Sequence, residues 1–260
     1  MVVLVSLWVG VAHAAVDDAT IVKALEDYEA GATYKFAMPP ERERARLVEG
    51  KVLKQRFKNE QGDLALGMIV SSEPLRDLWL GSLDPDFDIV RNVRSYIFPT
   101  PPDAVTRWYG LVDLPFPFAD RHFLITTVLN KAIEASSVGR IWERAWHLEP
   151  DGVATMAPLV AAGKVAGVDT AMFDKAIYTP VNYGAWFFVR LDERDTLVGY
   201  SAATVIGGDI PEGLVTQHVL SGLDELLRTV VARAKEMPQH YRGAHPLLVG
   251  GDGEPIPLAP

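Results

Sequence analysis

Residues 207–238 read GGDIPEGLVTQHVLSGLDELLRTVVARAKEMP, and the fold turns on them. Two glycines, an aspartate and Pro211 break the chain before Glu212. From there Leu214, Val215, His218, Val219, Gly222, Leu223, Leu226, Leu227, Val230, Val231 and Ala234 fall on one helical stripe. The pattern predicts a helix from about Glu212 to Met237, stopped by Pro238. A helix of about 25 residues is about 37 Å long. It is not stable alone in water and must lie along an apolar surface.

The residues before it supply that surface mostly as β-structure. Candidate strands are Asn92–Phe98, Val105–Val112, Arg121–Lys131, Gly139–Leu148, Tyr183–Leu191 and Thr196–Thr204, dense in aromatic and β-branched residues and mostly separated by turn residues. A further strand is expected at about Ala45–Phe57, turning through Asn59-Glu60-Gln61-Gly62-Asp63 into Leu64–Ser71. Two helices frame these. One follows Asp17 and Asp18, with Ile21, Val22, Leu25 and Tyr28 on one face and Gly31 as its stop. The other starts at Ser72-Glu73-Pro74, where Ser72 can cap and Pro74 fits the first turn. Met156–Ile177, rich in Ala and Gly, reads as a helical or irregular insertion. The sum is one α+β domain with a curved antiparallel sheet wrapped around the last helix. Where sheet and helix diverge, an internal hydrophobic cavity is expected.

Charge excludes one class of partner. Lys and Arg total 25 against 34 Asp and Glu, a net charge of -9, so the basic footprint needed to displace counterions from nucleic-acid phosphates is missing. The densest cationic stretch, Glu41 to Arg46, alternates with acids and reads as a solvated face. With no Cys in the chain, disulfides, thiolate metal sites and cysteine nucleophiles are excluded. Met1 to Val11 is an apolar run too short to span a bilayer, and Ala12-His13-Ala14 offers small residues at the positions a signal peptidase reads. We therefore expect a signal peptide over 1–14, a periplasmic domain over 15–242, and a flexible Pro- and Gly-rich tail over 243–260. No Lys or Arg precedes the apolar run, and the competing reading is a buried N-terminal strand.

Two stretches resemble a known family. The first is Trp108-Tyr109-Gly110-Leu111-Val112-Asp113-Leu114-Pro115-Phe116-Pro117-Phe118-Ala119-Asp120-Arg121-His122-Phe123, in which a strand ends at a Pro-containing loop and Asp-Arg-x-Phe opens the next strand. The second is Tyr183-Gly184-Ala185-Trp186 through Tyr200, then Gly207-Gly208-Asp209-Ile210-Pro211 leading into the final helix. Together they resemble the START lipid-transfer domains of the helix-grip (Bet v 1-like, SRPBCC) superfamily, here as a bacterial exported member. They cover the second half of the domain; the first ninety or so residues match only in element order. The resemblance implies carriage of a single hydrophobic ligand, a lipid such as a sterol, hopanoid, phospholipid or fatty acyl molecule, with passing membrane contact and no cofactor. It also implies an alternative, a cyclase, aromatase or hydrolase acting on an apolar substrate.

Site candidates follow from it. In sterol-binding relatives the matching Arg lies in the cavity beside an acid, which points to Arg121 with Asp103, or Asp113 as the fallback. The competing reading makes Arg121 a structural salt bridge. If Arg121 points inward, alternation carries Phe123, Ile125, Thr127 and Leu129 inward with it. Trp186, Tyr200, Leu214 and His218 complete the expected lining, although a lone His on an apolar helix face is commonly a satisfied core residue. Both parities of Tyr183–Leu191 are apolar, so that strand is covered on both faces or shielded by the insertion. Trp142 and Trp146 flank Arg144 and read first as a packed outer face, second as cavity lining. Gly213 and Gly222 either permit close packing of the last helix or let it flex. Catalytic signatures are absent: no Gly-x-Ser-x-Gly, His-Glu-x-x-His or phosphate-cradling loop occurs. An enzyme here would have to use Arg121, Asp103, His122 or His218 as acid–base groups. No metal is expected, since the six histidines include no i,i+4 pair; only His122 and His147 could meet across the sheet.

Overall fold

The structure, a computed structural model, describes residues 16–59, 62–83, 93–99, 106–210, 212–240 and 248–256. The expected signal peptide, Asp103 and much of the expected tail therefore lie outside the described residues.

The chain opens with α1 (Asp18–Gly31), whose N-terminus is held by the Asp17 carboxylate accepting from the Thr20 N–H at 2.8 Å. Next comes α2 (Glu41–Val48), where a strand was expected to begin at Ala45. The alternating Glu and Arg residues are good helix formers and lie mostly in solvent, with Leu47 turned in. Arg44 also forks onto both Asp18 oxygens at 2.8 Å, tying α2 to α1. The hairpin follows as β1 (Leu53–Asn59) and β2 (Gly62–Ser71), then α3 (Leu75–Leu83), β3 (Val93–Ile97), β4 (Thr106–Val112) and β5 (Arg121–Leu129). A short helix unread in the sequence, α4 (Lys131–Ser136), is capped by Asn130 and leads to β6 (Ile141–Leu148). The insertion resolves into α5 (Gly152–Ala161), α6 (Thr170–Lys175) and the two-residue β7 (Ile177–Tyr178). The chain finishes with β8 (Val181–Arg190), β9 (Thr196–Val205) and α7 (Glu212–His240).

The strands form a nine-stranded sheet in the order β1-β2-β9-β8-β6-β5-β4-β3, antiparallel throughout except that β7 pairs with β5 in parallel. On its inner face α7 packs over β1, β2 and β9, and α3 lies between α7 and β8. Close approach is possible because Gly67 on β2 carries no side chain: a Cβ there would sit 3.0 Å from Leu223 and 3.1 Å from Leu227. The outer face of β8, with Tyr183, Phe187 and Val189, is buried under α1 and Phe36. The insertion covers a different region, burying Tyr109, Leu111 and Leu124 of β4 and β5 beneath Met156, Val160 and Phe173. β8 is thus covered on both sides, by α1 rather than by the insertion.

Three expectations need correction. Helix α7 runs through Pro238 to His240, since Met237 is buried at its end and a proline in the last turn removes only one backbone bond. Its packed stripe runs through Thr216, Leu223, Leu227, Val230, Ala234 and Met237, whereas Leu214 is 64% exposed and His218 is exposed, because each stands nine residues before Leu223 or Leu227 and so half a turn round the helix from them. Within the expected tail, residues 248–256 are docked. Leu248 and Ile256 are buried in the inner core, Val249 bridges Pro255, and the Trp79 indole N–H donates to the Val249 carbonyl at 2.8 Å.

Candidate functional site

Strand alternation sorts the candidates between the two sheet faces. Phe123, Ile125 and Trp186 are buried on the inner face with Phe188, Val198 and Leu227. Tyr200 is half-buried on the same face, walled by Trp186 and Trp146 at centroid distances of 4.7 and 5.4 Å. Thr127 is half-buried and pairs across the sheet with Trp146. Trp142 and Trp146 also face inward, not outward as first read. β6 is covered on both sides, so its alternation alone could not tell which side was inner. Trp146 donates its indole N–H to Asn182 Oδ1 at 3.0 Å, and Trp142 meets Trp79 edge-on at 5.4 Å.

Arg121 is buried, 3% exposed, but neither an acid nor the inner space receives it. Its Nε donates to the Ile206 carbonyl at 2.6 Å, Nη2 to Gly207 at 2.8 Å, and Nη1 to Ala119 and, at 3.3 Å, to Asp120. The guanidinium is a clamp on backbone carbonyls, fixing the loop that leads into α7. The fallback acid, Asp113, is taken by Arg94. Leu214 and His218 stand outside the inner face.

Of the acid–base groups that an enzyme would need, the described ones, Arg121, His122 and His218, are dispersed. His122 follows Arg121 on β5 and therefore faces the other side, where its Nδ1 lies 3.2 Å from the Tyr109 hydroxyl and its ring meets Phe173 and Tyr178 edge-on. Burial lowers its pKa to about 4. His147 pairs with Thr126, so the two histidines do not meet. Among the described residues no group of three His, Asp or Glu side chains is placed to hold a metal ion, and no helix is long and apolar enough to cross a membrane.

Three polar groups interrupt the apolar inner face. The Tyr200 hydroxyl has no hydrogen-bond partner among the described residues, and burial pushes its pKa up to about 12. The Trp142 indole N–H is buried without a partner among the described residues. Arg144, between Trp142 and Trp146, donates one bond, from Nη2 to the Ser82 carbonyl at 3.1 Å, with its Cζ 5.9 Å from the Trp79 ring. The sequence had weighed it only as part of an outer face. A cleft of about 330 Å³ also exists on the outside, where Asp17, Thr20 and Lys23 of the α1 region meet Arg140 and Leu191. It lies on the outer side, away from these groups, and mixes charged side chains with Ala19, Ala24 and Leu191.

Sequence comparison with family models and with curated proteins finds no match. Solved structures do match. Human STARD10 superposes at a TM-score of 0.51 with 10% identity, over 80% of this chain and 85% of its own. A STAR-related lipid transfer protein from Xanthomonas axonopodis gives 0.50 with 17% identity, over 77% and 98%. Human StAR-related lipid transfer protein 5 gives 0.51 with 13% identity, over 84% and 94%. At these identities the likeness establishes the fold, the helix-grip fold of START domains.

Proposed function

We propose, with the helix-grip fold as premise, that this chain binds and carries a single apolar ligand against the inner face of its sheet, beneath α3 and α7. The observation that carries the reading is Tyr200. Its phenol is surrounded closely enough for burial to raise its pKa to about 12, yet the residue keeps accessible surface and its hydroxyl lacks a described partner. Trp108, Val112 and Leu148 are likewise only half-buried while packed against the inner core. Half-exposed aromatic and aliphatic groups on a concave face are what a ligand pocket offers, with a few polar groups to fix orientation. Two of the matching structures carry lipid transfer in their names, and we extend that class of ligand to this chain.

The lining we assign is Phe123, Ile125, Thr127, Trp186 and Tyr200 from the original set, joined by Trp142, Arg144 and Trp146. Export through the 1–14 segment belongs to the same proposal and rests on its sequence pattern alone. Mass spectrometry of extracts from protein purified without detergent tests the binding. One dominant apolar species at about one per chain is expected. Recovery of no such species, together with no displaceable binding of an apolar fluorophore, would overturn it.

A further inference from the structure

Among the described residues, the charged side chains of β4 to β6 that are withdrawn from solvent find their partners, with the half-buried Arg144 as the exception. Glu143, on the outer face of β6, accepts from Tyr28, Thr33 and Asn130. Arg121 spends its donors on four carbonyls. Arg107 forks onto Glu149. Arg144, one residue after Glu143 and so on the opposite face, has a guanidinium with five N–H donors and a single described acceptor, the Ser82 carbonyl at 3.1 Å. Among the described residues no carboxylate lies within 4.0 Å of it. Burial lowers its pKa to about 10, and no described acid opposes the shift.

The surroundings say what is missing. Arg144 pairs across the strands with Leu129 on one side and Trp186 on the other, with Trp142 and Trp146 before and after it. The side chains of Leu129, Trp142, Trp146 and Trp186 offer no hydrogen-bond acceptor, and the nearby Trp142 N–H is a second donor without an acceptor among the described residues. A cation and an orphan donor set into an aromatic wall are complementary to an anion carried on an apolar body, and a planar guanidinium favours an oxyanion that can take two bonds at once.

We propose that Arg144 binds the acidic end, a carboxylate or a phosphate, of an amphipathic ligand whose apolar body lies along the inner face. This inference rests on the apolar-ligand reading above and narrows it to acids.

The test uses matched probes on the full chain: oleate against methyl oleate, and oleyl phosphate against oleyl alcohol, by displacement of an apolar fluorophore. Wild type is expected to bind at least one acid tenfold or more tighter than its neutral partner, and the pair with the larger ratio identifies the headgroup. Arg144→Gln should bring that ratio near one; Arg144→Lys should keep part of it. Equal binding of acid and neutral partner by wild type overturns the proposal without any variant having to fold. So does a preference that survives in Arg144→Gln. If neutral probes bind and acids gain nothing, only the acid inference fails; if no probe binds, the apolar-ligand reading fails with it.

Discussion

The Tyr28 hydroxyl donates to Glu143 Oε1 at 3.2 Å, joining residues 115 positions apart and fastening α1 to the outer face of β6. The same carboxylate, fully buried, accepts from the Thr33 N–H at 3.1 Å and from Asn130 Nδ2 at 2.5 Å. The Tyr28 ring stacks on Phe187 at 4.0 Å. Tyr28→Phe keeps that stacking and removes one donor to a charged acceptor, so urea denaturation should report a loss of about 1.5–3 kcal/mol. A change near zero would show that the hydroxyl bond contributes nothing net.

Glu143 also gives the stability a pH dependence. Burial is the largest influence and raises its pKa above the usual carboxylate range, with the hydrogen bonds opposing. A carboxyl whose folded pKa is raised holds more protons folded than unfolded. Its contribution is therefore full below the unfolded value of 4.5 and is lost as pH rises through the raised folded value. Glu143→Gln should flatten that decline in chemical-denaturation curves taken on the alkaline side of pH 4.5. An undiminished decline would assign it to other groups.

His122 acts in the opposite sense. Burial lowers its pKa from 6.5 to about 4, so its contribution is full above 6.5 and is lost as pH falls toward 4. The shift corresponds to roughly 3 kcal/mol. His122→Gln should reduce the acid-side loss of stability across that window. Because His122 lies under the insertion, on the face away from Arg144, ligand affinity at neutral pH should be unchanged, and a large change there would contradict its placement.

Arg121 offers a test of its clamp. Lysine cannot reproduce a planar fork onto several carbonyls, so Arg121→Lys should destabilise by about 2 kcal/mol or more. The loss should be local as well as global. Hydrogen exchange at Ile206, Gly207 and Gly208 should quicken more than at Leu223 or Leu227 on α7. Uniform quickening would mean that the clamp is not what orders this loop.

Much of the fold was legible because periodicity records burial directly. The strands β3 to β6, β8 and β9 and the second half of α7 follow from apolar spacing. What periodicity does not record is which face is inner when both are covered. β6 is apolar or buried on each side, so Trp142, Arg144 and Trp146 could not be placed until α3 was seen lying over them. Arg121 illustrates another gap: its partners are backbone carbonyls, which leave no residue type to read. The first turns of α7 misled for a third reason. Leu214 and His218 belong to the wide apolar stripe of the sequence, but each lies half a turn round the helix from Leu223 or Leu227, off the face that packs.

The glycines of the two inner helices separate packing from flexibility, and they make opposite predictions. A Cβ at Gly222 meets nothing within 4 Å, so this residue serves neither close packing nor any contact, and its backbone freedom only weakens α7. Gly222→Ala should stabilise by about 0.5–1 kcal/mol. Gly81 sits where α3 crosses α7, and a Cβ there would lie 3.1 Å from the Val230 carbonyl oxygen and 3.2 Å from the Ala234 nitrogen. Both are backbone atoms of a long helix and cannot step aside singly, so Gly81→Ala must push the helices apart. It should destabilise by about 1–3 kcal/mol despite its better helix propensity. Thermal denaturation of the two variants side by side checks this. If Gly222→Ala instead lowered stability and slowed exchange of a bound apolar probe, bending at Gly222 would be needed for ligand passage, and α7 would be a moving cover rather than a fixed one.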